Sequence, residues 1–139
     1  MKKKSLQLLI KRQKIIIDQL SAKVAAKKEE MDALLKKRIS LLKKIETIEK
    51  ERAPSVAQLA LSKEYVFNLY KQIEALDTSL QALGQELDAI KKELHAALGE
   101  KKAFEKLLSK LEEKAALEEI HKESRLADES FARKFMVHR

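Results

Sequence analysis

His95, His121 and His138 are the chain's three imidazoles, and no cysteine accompanies them. A metal site needs several such donors to converge, and a nucleophilic mechanism needs a base beside an activated Ser or Cys. Neither pattern occurs. His121 lies three residues from Glu118 and four from Arg125, which is ordinary pairing on a helix surface. His95 falls at an outward helical position. There is no Gly-rich phosphate loop and no G-x-S-x-G elbow. Catalysis also needs a concave, partly dry pocket, which a two-helix rod does not offer. The expectation is a protein that is not an enzyme and uses no cofactor or metal.

The residues that could do work are those suited to contacting other proteins. Tyr65, Phe67 and Tyr70 cluster around Val66 and Leu69, with Phe67 at an outward position where pairing of helices does not need an aromatic. Phe131, Phe135 and Met136 form a second cluster beside Arg133, Lys134 and Arg139. On a helix Phe131 and Phe135 share a face. Exposed, clustered aromatics point to docking surfaces. Charge is also unevenly placed: residues 1–52 carry 16 Lys and Arg against 7 Asp and Glu, and residues 53–139 carry 14 against 15. The first segment is therefore +9 and the second −1. Residues 1–28 alone hold nine bases and one acid, Asp18. That asymmetry fits an acidic partner surface, although Lys-rich faces also keep a long helix in solution.

Long helices must position these residues. The 139-residue chain has two Gly, one Pro, 37% charged and 4% aromatic residues. That is the profile of extended helix, with too little punctuation for β-structure. Steps of three and four residues trace an apolar seam through Ile10, Gln13, Ile17, Leu20, Val24, Lys27, Met31, Leu34, Arg38, Leu41, Ile45 and Ile48. A second seam runs Leu59, Ser62, Val66, Leu69, Ile73, Leu76, Leu80, Leu83, Leu87, Ile90, Leu94, Ala97, Lys101, Phe104, Leu108, Leu111 and Ala115. A period of 3.5 held this long predicts a left-handed coiled coil. Gln13, Lys27, Arg38 and Lys101 interrupt the seam, and such residues can set register and partner choice.

One break separates the seams, at Arg52-Ala53-Pro54-Ser55. Pro54 lacks an amide hydrogen and disfavours helix at Ala53. Ser55 with Gln58 reads as a capping box. The prediction is a single all-α domain: helix one about 3–52, a turn about 53–55, and helix two about 56–136. A short connection makes antiparallel neighbours. The fold expected is a long antiparallel coiled-coil hairpin with residue i opposite about 107 − i. Helix two would then project by about 34 residues, or about 50 Å. The two seams are in phase across the break, so register alone also admits a kinked parallel dimer of one long helix.

Other partners fit less well. The sequence pI is about 9.6, but the bases are interleaved with seam residues and show no basic-region or stacking pattern for nucleic acid. Lys11, Arg12 and Lys14 interrupt the apolar run after Lys2-Lys3-Lys4 too soon for a secretory signal. No stretch is long enough to span a bilayer. No nucleic acid and no direct membrane insertion are expected, and the chain reads as soluble and intracellular.

A basic first helix, a longer second helix and an acidic-then-aromatic-basic end together resemble the FliJ family of flagellar export proteins and the related YscO-type proteins of virulence type III secretion. Arg125-Leu126-Ala127-Asp128-Glu129-Ser130-Phe131-Ala132-Arg133-Lys134 looks like the family's tail. Leu8-Leu9-Ile10-Lys11-Arg12-Gln13 is similar to its start. The resemblance spans nearly the whole chain and implies a cytoplasmic, bacterial, non-enzymatic stalk, peripheral at the inner-membrane base of a secretion apparatus. Its expected partners are the hexameric export ATPase, the cytoplasmic domain of the export-gate membrane protein, and export chaperones. By the same resemblance, ATPase contacts fall on Lys3, Lys4, Lys11, Arg12, Arg125, Asp128, Glu129, Phe131, Arg133 and Phe135. Gate contacts fall on Tyr65, Phe67, Leu69 and Tyr70. A generic coiled-coil scaffold or homodimeric adaptor is the alternative, and a basic nucleic-acid-binding hairpin is a third reading.

Overall fold

Good helix formers fill the segments on either side of the break, and the computed structural model turns each into one helix. It describes residues 2–52 and 55–137, with side chains as far as Lys134. Helix α1 spans Lys3–Lys50 and helix α2 spans Val56–Val137, 48 and 82 residues. These bounds lie within two residues of those read from the sequence. The expected turn residues Ala53 and Pro54 lie outside the described residues.

Local chemistry sets the ends. The Gln58 amide donates to Ser55 Oγ at 3.2 Å, and the Leu59 amide to the Ser55 carbonyl at 3.0 Å. Ser55 is therefore the N-cap of α2 and satisfies an amide that has no partner within the helix. Helix α1 closes with the Glu51 amide donating to the Ile48 carbonyl at 3.2 Å, three residues back, which tightens the last turn. Gly84 and Gly99 do not interrupt α2. Neither has a left-handed backbone, and a Cβ at either would meet open space.

The two helices pack antiparallel as a coiled-coil hairpin. Their contacts divide into two units, residues 18–95 and residues 1–17 with 96–139. In the first unit Leu41, Ile45, Leu69, Ile73 and Leu76 form a buried cluster, with Leu34, Ile48 and Val66 against it. Leu20 and Leu87 are buried in the same unit. In the second, Leu6 and Ala97 are buried. All of these except Leu6 belong to the seams, and Leu6 extends the first seam by one step of four. Burying a leucine in such a layer contributes about 1.5–3 kcal/mol.

The register differs from the expected one. In the 18–95 unit Lys27 meets Glu86 and Arg38 meets Asp77; in the other, Lys3 meets Glu112 and Gln13 meets Glu100. Residue i therefore stands opposite about 114 − i in each unit, seven residues away from 107 − i. A slip of seven is one heptad, so the apolar seams fit either alignment. The polar seam residues distinguish the two. Under 107 − i, Arg38 and Lys27 would stand opposite Leu69 and Leu80, neither of them an acid. Under the observed register each finds a carboxylate.

Two consequences follow at the ends. The first two turns of α2 run past the end of α1, leaving Val56, Leu59 and Leu61 exposed, so Leu59 is not a core position. At the other end Lys3 faces Glu112, and every described side chain from Glu112 to Lys134 is exposed. The projecting part of α2 is thus residues 113–137, about 37 Å at 1.5 Å per residue, and shorter than expected.

Candidate protein-binding surfaces

The 18–95 unit carries the central aromatics. In an antiparallel pair, the residues following core positions on both helices share one flank, and those preceding them share the other. Phe67 and Tyr70 follow Val66 and Leu69, so they sit on the flank that Leu35 and Leu42 of α1 also occupy. They line a shallow cleft of about 340 Å³ with Lys71, Glu74 and Asp77. Phe67 is 58% exposed, and the Lys71 ammonium lies 4.7 Å from its ring centroid. That distance is within reach of a cation–π attraction. Tyr65 precedes Val66 and lies on the opposite flank, where it lines a furrow with Lys44 and Ile48.

The expected patch of Tyr65, Phe67, Leu69 and Tyr70 is therefore divided. Leu69 is 2% exposed and belongs to the core cluster. It supports the surface from below and offers nothing to a partner, because a d-type side chain points at the facing helix. In its place the structure adds Leu35 and Leu42, both exposed on α1. The sequence signal for them was present: each is a large apolar residue immediately after a seam position.

The unit of residues 1–17 and 96–139 carries the other expected contacts. Lys3 pairs with Glu112 at 3.6 Å. Lys4 and Lys11 flank a groove of about 580 Å³ with Gln7, Leu8, Ile10 and Leu108, and Arg12 is exposed. Arg125, Asp128, Glu129, Phe131 and Arg133 are all exposed on the projecting part of α2, with Phe131 72% open. The side chain of Phe135 lies outside those described. The structure does not bring the two sets to one spot: Arg125 is thirteen residues beyond Glu112, about 20 Å along the helix. Within the tail, Arg125, Glu129 and Arg133 recur every four residues and share a face, while Phe131 points nearly opposite Arg133.

An apolar row in this unit escaped the sequence reading. Leu117, Ile120 and Phe131 are exposed and fall in one 3–4 series with Ser124 and Ala127. The last half-buried residue of the earlier seam is Leu111, and the new row begins six residues later, rotated about 120° around the helix. Following only the original phase leads instead to Glu118 and Lys122.

The polar seam residues are half-buried and paired. Gln13 Nε2 donates to Glu100 Oε2 at 2.6 Å, and Arg38 Nε to Asp77 Oδ1 at 2.7 Å. Lys27 lies 2.9 Å from Glu86 and 3.8 Å from Glu30. The hydrogen bond to Glu86, together with the Glu30 charge, holds the Lys27 ammonium above the ordinary lysine value. Lys101 pairs with Glu105 on its own helix at 3.6 Å. Among the described residues no group of His, Cys, Asp and Glu gathers as metal ligands would, and no helix is long and apolar enough to cross a membrane.

Compared with protein-family models, curated proteins and solved structures, the chain matches none.

Proposed function

We propose that this chain is a non-enzymatic stalk of a flagellar or virulence type III export apparatus. It binds the hexameric export ATPase through the projecting part of α2 and the basic start of α1, and promotes assembly of the ring. A separate surface around Phe67 and Tyr70 meets the cytoplasmic domain of the export gate, and export chaperones are further partners. The observation that carries this reading is the exposed run Arg125 to Arg133 on a helix that continues past its partner. A helix end with an exposed aromatic and a row of alternating charge is built for a contact outside the hairpin, since nothing within the paired part covers it. The layout and tail motif of the FliJ and YscO-type proteins supply the identity of that contact.

The test is ATPase stimulation. A flagellar and a virulence-system export ATPase are each assayed with the full chain, the F131A variant and an Arg133→Glu variant. Stimulation of one enzyme by the unmodified chain, with loss in both variants at unchanged helicity, supports the stalk. No stimulation of either enzyme, together with a doubled solution mass, returns the chain to the class of homodimeric adaptors.

A further inference from the structure

Between Ala33 and Ile45 the sequence holds five bases, Lys36, Lys37, Arg38, Lys43 and Lys44, and no acid. Arg38 is committed to Asp77 across the seam. The four lysines enter none of the ion pairs found among the described residues. Three of them, Lys36, Lys43 and Lys44, border a furrow of about 610 Å³ on the outer face of α1. It extends from Lys36 to Ile48, about 18 Å or three helical turns. Its apolar lining comes from Ile39, Ile48 and Tyr65, and no carboxylate lines it. Ile39 is 52% exposed and Tyr65 48%. Thr47 also lines the furrow, and its hydroxyl donates to the Lys43 carbonyl at 2.9 Å, so it asks no hydrogen bond of an occupant.

We infer that this furrow is a docking site for an acidic amphipathic helix of a partner protein. The argument is one of complementarity. An apolar ridge with i, i+3, i+4, i+7 spacing would cover Ile39 and Tyr65 as a third helix laid along the hairpin. Carboxylates flanking that ridge would meet Lys36, Lys43 and Lys44, which enter none of the ion pairs found among the described residues. Steering by those charges raises the association rate, and the apolar contact sets the residence time. The site goes beyond the stalk reading and does not depend on it, because no ATPase contact enters the argument and Tyr65, the one expected gate residue that does, lies on the flank away from Phe67 and Tyr70.

The probe is a synthetic amphipathic peptide of about 18 residues, five turns of helix, with Leu on one face and Glu on its borders. It is titrated into the isotope-labelled full chain and followed by backbone amide shifts. The expected result is saturable shifts confined to residues 36–48 and around Tyr65. Affinity should fall about tenfold with Ile39→Glu, the cost of losing one anchoring side chain. It should fall similarly with Lys43→Glu and Lys44→Glu together, and recover when the peptide's Glu residues become Lys. Both variants lie at exposed positions, so the fold is retained. Three outcomes overturn the proposal: a scrambled peptide of the same composition binds equally well; duplex DNA binds more tightly than the peptide and ignores Ile39→Glu, making the site a phosphate-tracking surface; or the chain alone doubles its mass with amide shifts at the furrow, making the occupant a second copy.

Discussion

Replacing Leu69 by Ala tests both the core and the register. Leu69 is 2% exposed and packs with Leu41, Ile45, Ile73 and Leu76. The substitution removes three carbons, about 2.4 kcal/mol of transfer free energy at about 0.8 kcal/mol per methylene. A cavity term adds to this, but a two-helix seam is open on both flanks and can partly collapse, which keeps that term small. The expected loss is about 2.5–3 kcal/mol in urea unfolding followed by circular dichroism. Phe67→Ala, two residues away, should cost only about 0.5–1 kcal/mol, because that ring is mostly in solvent and loses little beyond its contact with Lys71. Double-mutant cycles then read the register. Leu69 should couple to Ile45, its opposite number under 114 − i, by about 0.5–1 kcal/mol or more, and to Arg38 by less than about 0.5 kcal/mol. Under 107 − i the order reverses, since Arg38 would face Leu69. A larger coupling to Arg38, or equal costs for the two alanine variants, would refute the alignment argued above.

Two further outcomes are expected. Gln13 has a buried Oε1 with no hydrogen-bond partner while its Nε2 serves Glu100; Gln13→Leu should raise stability by about 1 kcal/mol in thermal unfolding, and a loss would mean that the Glu100 bond outweighs the unsatisfied oxygen. Ser55→Ala removes the cap of α2 and should cost about 1 kcal/mol locally, seen as faster hydrogen exchange at the Gln58 and Leu59 amides; unchanged exchange there would show that the cap contributes nothing.

Much of this protein was legible in its sequence, because helical pairing is a local, periodic property. The 3–4 spacing of Leu20, Leu41, Ile45, Leu69, Ile73, Leu76 and Leu87 marks them as the buried residues, and the Ser55–Gln58 spacing marks the start of α2. Those signals work because every turn of a helix repeats the same geometry, so a stripe of apolar residues must become the contact line. Tertiary structure decided what periodicity repeats without distinguishing. Alignments one heptad apart bury the same seam, and only the pairing of Arg38 with Asp77 and Lys27 with Glu86 separates them. That choice sets the length of helix left uncovered and places Leu59 in solvent. Pairing with α1, in either alignment, parts Tyr65 from Phe67 and Tyr70 and puts Leu69 beneath the surface it had been expected to form. Spacing along one helix defines a stripe, but which side of the stripe faces outward is known only once the second helix is in place.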